Sequence, residues 1–81
     1  MAKFNYSCDN KTAVQSVKRA LTGKLAILKD TGNTLVVGSP MMTANITFKN
    51  GTVETNASLF GKVILGTVDT CIELIEGFSK I

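Results

Sequence analysis

The period of the hydrophobic positions changes along the chain, and each change predicts an element. From Asn56 to Ile81 the period is helical: Ile64, Val68, Cys71, Ile75 and Phe78 share one stripe, widened by Leu65, Ile72 and Leu74. Lys62, Asp69, Glu73, Glu76 and Lys80 fall opposite. This split predicts an amphipathic helix that starts near Ser58 or Leu59 and runs to the last residues, one face on a core and one in water. Upstream the period is two. Ala44, Ile46 and Phe48 alternate with Thr43, Asn45 and Thr47, while Val53, Thr55 and Ala57 alternate with Glu54 and Asn56. Asn50-Gly51 between these runs is the favoured pair for a two-residue hairpin turn in which both central residues take positive φ. That turn sets the register: Phe48 opposite Val53, Ile46 opposite Thr55, Ala44 opposite Ala57 and Met42 opposite Leu59 on an apolar side. Thr47 with Glu54, Asn45 with Asn56 and Thr43 with Ser58 lie on a polar side, as in an antiparallel sheet wetted on one face.

The first half is patterned in shorter pieces. Phe4, Tyr6 and Cys8 alternate with polar residues, which predicts a strand with all three facing the core. Asp9 and Asn10 offer caps to a helix whose Ala13, Val14, Val17, Ala20 and Leu21 recur at three- and four-residue steps. Gly23 is placed to end it. Leu25 to Leu28 and Thr34 to Val37 read as strands around the Asp30-Thr31-Gly32-Asn33 turn cluster. Pro40 marks a corner or a strand's edge, because it cannot donate to a ladder. The order along the chain is β-α-β-β-β-β-α: a two-layer α+β sandwich, a mostly antiparallel sheet with both helices on one face.

Composition bounds this picture. The 81 residues, 44% of them hydrophobic, make a single domain (1–81) with a core of minimal size, aliphatic because there is no Trp, one Tyr and four Phe. Two cysteines do not make a disulfide framework, and the opening Met1-Ala2-Lys3-Phe4-Asn5 shows no signal peptide. No apolar run approaches the ~20 residues of a membrane span. The expectation is a cytoplasmic protein with reduced thiols and no membrane partner.

The candidate chemistry is sparse. With no histidine the chain lacks the commonest general base and metal ligand. Gly61-Lys62 lacks the upstream glycine of a phosphate loop. Asp69, Glu73 and Glu76 share a predicted helix face and read as a solvated surface rather than a metal site. Cys8 and Cys71 both fall on predicted core faces, where a thiol acts as a small hydrophobe; a contact between them stays open. These residues nominate no catalytic group, cofactor or metal, and the expectation is that the chain is not an enzyme.

Two interaction surfaces remain. The net charge of +3 is uneven, +4 over residues 1–40 and −1 over residues 41–81. Lys11, Lys18, Arg19 and Lys24 on or just beyond the first helix form a candidate surface for nucleic acid or another acidic partner. The aromatics Phe4, Tyr6, Phe48 and Phe78 map to core faces and Phe60 is committed to neither side, so the signal is electrostatic only. The middle strands are apolar on both sides, so some of Ala26, Leu28, Leu35 and Val37 point away from the helices. Such a patch predicts an interface, with a homodimer leading and another protein or a small apolar ligand as alternatives. Gly61, Gly66 and Gly77 fall inside the predicted last helix, where each costs roughly 1 kcal/mol relative to Ala; Gly66 and Gly77, on or near its solvent side, permit close approach of a second chain, or a bend, or are tolerated.

The second half, from Ala44-Asn45-Ile46-Thr47-Phe48 through Leu59-Phe60-Gly61, resembles the C-terminal half of the small bacterial family of polyhydroxyalkanoic acid system proteins. The likeness is strand, turn, strand, Leu–Gly lead-in and an amphipathic helix to the terminus. It covers about half the chain and implies a related fold, with no functional residue to transfer. The first half departs from that family's pattern in length and charge.

Overall fold

The computed structural model describes residues 2–58 and 60–81. Eight elements follow in order: β1 (Ala2–Tyr6), α1 (Asn10–Leu21), β2 (Ile27–Asp30), β3 (Thr34–Ser39), β4 (Met42–Lys49), β5 (Thr52–Ala57), α2 (Lys62–Glu73) and β6 (Phe78–Lys80). The strands form one antiparallel sheet in the order β2-β3-β4-β5-β1-β6, with both helices on one face. The α+β class and the two-layer arrangement are as the periodicity predicts.

Rows of paired residues explain the layering. Leu35, Ile46, Thr55 and Ala2 stand side by side across four strands, and Phe48, Val53 and Phe4 across three. All are buried, and Val14, Val17, Leu21, Val68 and Ile72 close over them from the helices. The intervening rows, Thr34–Thr47–Glu54–Lys3 and Val36–Asn45–Asn56, make the open polar face. The register of β4 with β5 is the one the alternation predicts; Leu59 lies outside the described residues. The turn itself differs. Only Gly51 is left-handed (φ +89°) and Asn50 is not, so the loop resembles a turn with one positive φ at its second central residue. Pro40 and Met41 form the two-residue turn between β3 and β4.

The predicted final helix is cut short. It ends at Glu73, and Gly77 turns the chain (φ +92°) into β6, which pairs Phe78 with Tyr6 of β1. Phe78 then stacks on Tyr6 with ring centroids 5.3 Å apart. Ile75 and Phe78 suit a helical stripe equally well; what decides is the free edge of β1, whose backbone groups need partners. The helix that carries the family likeness therefore does not reach the terminus.

Gly61 is fixed by close approach at the start of α2. A Cβ there would stand 1.9 Å from the Thr43 carbonyl oxygen, so only glycine lets the helix begin against β4. Three further expectations are corrected. Leu35 and Val37 are fully buried beneath the helices, because β3 is interior and alternates normally, leaving only Ala26 and Leu28 of that set exposed. Cys8 is exposed, because β1 stops at Tyr6 and Cys8 lies in the connection to α1. β2 starts at Ile27, and its register shifts between Ile27 and Lys29, so Leu28 sits at an irregularity of the sheet edge.

Candidate functional site

The basic candidates are only partly free. Asp9 caps α1 by accepting from the Thr12 N–H at 3.3 Å, and the helix carries Lys11 and Arg19 to exposed positions. Lys18 instead donates to Asp30 at 2.8 Å, across from α1 to the β2 edge. That bond, with the Gly32 N–H, holds the Asp30 carboxyl below its ordinary range. Lys24 lies beyond the helix and is exposed. The sheet aromatics Phe4, Tyr6, Phe48 and Phe78 are buried, so none of these four rings is free to stack on a base.

The open sheet face carries a second charged group. Glu54 accepts from Lys49 at 2.9 Å and from Lys3 at 3.1 Å. Those two bonds, Lys49's first, lower the Glu54 carboxyl. The cleft here is wide, about 650 Å³, and its lining includes Lys3, Asn10, Lys49, Thr52 and Glu54. One carboxylate between two ammonium groups cancels much of the charge an anion would need.

The acids of the last helix are not gathered. Asp69 turns inward to accept from the Thr55 hydroxyl at 2.6 Å, Glu73 faces solvent, and Glu76 lies past the helix end. Among the described residues no group of three or more His, Cys, Asp or Glu comes together. Cys71 is buried in the core and Cys8 is exposed in a loop; both are free thiols.

What stands out is apolar. Met41, Met42, Phe60 and Val63 line an open cleft of about 310 Å³ where the β3–β4 turn meets the start of α2. Met41 is 80% exposed, Val63 77% and Phe60 65%. The same flank of α2 continues through Thr67 and Thr70 to Leu74, which is 80% exposed at the helix end. A groove of about 320 Å³ runs beside this flank, lined by Lys24, Gly66, Thr67, Thr70, Cys71 and Leu74. The buried face of α2 is Val68, Cys71 and Ile72, with Ile64 and Leu65 half-buried, so this strip is a separate flank. The other exposed flank holds Lys62 and Glu73.

The hydrophobic period does not single these residues out. A helix that runs to the last residues places Leu74 in the core stripe and gives Val63 no face. The available signal was the 4-3-4 spacing of Val63, Thr67, Thr70 and Leu74, an uncharged row distinct from the core row. Compared with known proteins, the chain matches no family model, no curated protein and no solved structure.

Proposed function

We propose that this chain is a small non-catalytic module that works through protein contact, and that the strip from Met41 through Phe60 and Val63 to Leu74 is its contact surface. The observation that carries this reading is the exposure of four large hydrophobic side chains, 65–80% each, along one uncharged strip. Leaving such a strip in water forgoes about 25 cal/mol for every Å² of it, which a partner recovers. Methionines at its end suit a partner surface, since their unbranched side chains adapt to what they meet. A small apolar ligand is a poorer fit, because the cleft's walls are themselves largely in water and would cover little of it.

This reading moves the interface away from Leu35 and Val37, which are core residues, and leaves Ala26 and Leu28 as an exposed strand edge outside it. It includes a reducing, cytoplasmic setting, supported by two free thiols. No helix among the described residues is long and apolar enough to cross a membrane. Nucleic-acid binding through Lys11, Lys18, Arg19 and Lys24 has less behind it, since Lys18 is already paired with Asp30. The half-chain likeness to polyhydroxyalkanoic acid system proteins is carried as a proposal about fold alone.

The test is a photo-reactive residue placed at Leu74 or Met41 in cells that produce the protein, with Asn45 on the open sheet face as the comparison site. Protein adducts at Leu74 and Met41 well above those at Asn45 support the reading. Equal yields at all three sites contradict it.

A further inference from the structure

Resting on that protein-contact reading, we infer that the partner is a second copy of this chain, docked α2 against α2 in antiparallel register about a two-fold axis between Thr67 and Thr70. The strip reads apolar, hydroxyl, hydroxyl, apolar: Val63, Thr67, Thr70 and Leu74, at steps of four, three and four. Reversed, the order of apolar and hydroxyl side chains and of steps is the same. An antiparallel copy therefore sets Val63 against Leu74 of the partner subunit and Thr67 against Thr70 of the partner subunit, apolar against apolar and hydroxyl against hydroxyl. Gly66 borders the strip and has open space where a Cβ would stand, so the second backbone is free to come close there.

Charge selects the same register. Lys62 and Glu73 are both exposed on the flank beside the strip, and no ion pair among the described residues involves either. The antiparallel register brings Lys62 near Glu73 of the partner subunit, twice by symmetry. A parallel two-fold would carry this flank and its copy to opposite sides of the seam and leave both charges without a partner. A twelve-residue helix spans about 18 Å, so the strip is smaller than the ~800 Å² per partner of a standard interface, and the dimer is a reversible one.

The experiment uses the full chain carrying Cys8→Ser, which removes the exposed thiol. Val63→Cys and Leu74→Cys are introduced separately, and the two proteins are oxidised mildly, alone and mixed. The antiparallel register brings position 63 of one copy to position 74 of the other, so a disulfide-linked dimer forms in the mixture. Equivalent positions lie roughly 16 Å apart along the helix, beyond disulfide reach, so neither variant links to itself. Self-linkage of either single variant, or no linkage in the mixture, overturns the proposal. If the mixture does not link while photo-adducts at Leu74 contain a different protein, the two-fold fails and the protein-contact reading stands; with no adducts either, both fail.

Charge reversal gives an independent arm. Lys62→Glu alone raises the dimer dissociation constant roughly tenfold, two exposed pairs having turned repulsive, and adding Glu73→Lys restores it. An acid in the first turn of α2 favours the helix dipole, so the single variant keeps its melting temperature while losing the dimer. Unchanged association in Lys62→Glu overturns the register.

Discussion

Replacing Thr55 by Val tests how the sheet is tied to α2 and to the first strand. Thr55 is fully buried, the one buried polar side chain outside the aromatics among the described residues. Its hydroxyl donates to the Asp69 carboxylate at 2.6 Å and accepts from the Ala2 N–H at 3.1 Å. Valine keeps the volume and removes both bonds. The bond to a carboxylate contributes about 1.5 kcal/mol at the low end, since half-buried Asp69 is able to turn to water. The Ala2 N–H, left without this acceptor, costs about 1–2 kcal/mol. The methyl that replaces the hydroxyl returns about 0.8 kcal/mol. The balance is a loss of about 2 kcal/mol, which for a chain of this length lowers the melting temperature by about 10 °C. Thermal and urea denaturation followed by circular dichroism measure it. A double-mutant cycle with Asp69→Ala should return a coupling of roughly 1 kcal/mol or more between the two side chains. A Thr55→Val melt within a degree or two of wild type, with no coupling, would refute the clasp.

Gly61→Ala should destabilise by about 1–3 kcal/mol or more, since its Cβ meets the Thr43 carbonyl at 1.9 Å and backbone must move; Gly66→Ala, which meets nothing within 4 Å, should stabilise the monomer by up to ~1 kcal/mol. Asp9, Asp30 and Glu54 have folded-state carboxyls below their ordinary values. Their contribution is complete above the unfolded values near pH ~4 and is lost as pH falls through the lower folded ones, so melting temperatures should drop on that limb, and less so in Glu54→Gln. Gel retardation at low salt should show no DNA or RNA binding that depends on Lys11 and Arg19; a shift that vanishes in Lys11→Glu/Arg19→Glu and with rising salt would revive the acidic-partner reading.

Where alternation was strict, sequence and structure agree residue by residue. Phe48, Ile46 and Ala44 pair as the Asn50-Gly51 turn requires, although only one of the two turn residues is left-handed. The end of α2 was not legible, because Ile75 and Phe78 satisfy two periods at once and only the unpaired edge of β1 selects the strand. The middle strands misled for a related reason. Leu25 to Leu28 reads as one apolar run, but Ala26 precedes β2 and Leu28 sits where the register shifts, so their exposure says nothing about Leu35 and Val37 in the next strand. A helix continued past Glu73 to the last residues hides the contact strip, because it makes Leu74 a core residue.

The most direct measurement of the central claim is sedimentation equilibrium of the wild-type chain from low to high micromolar concentration, beside Val63→Lys and Leu74→Lys. The mass should rise with concentration from the monomer's 8.6 kDa towards twice that value, and stay at 8.6 kDa in both variants with their folds intact. A wild type that remains at 8.6 kDa throughout, or variants that dimerise as well as it does, would contradict the account.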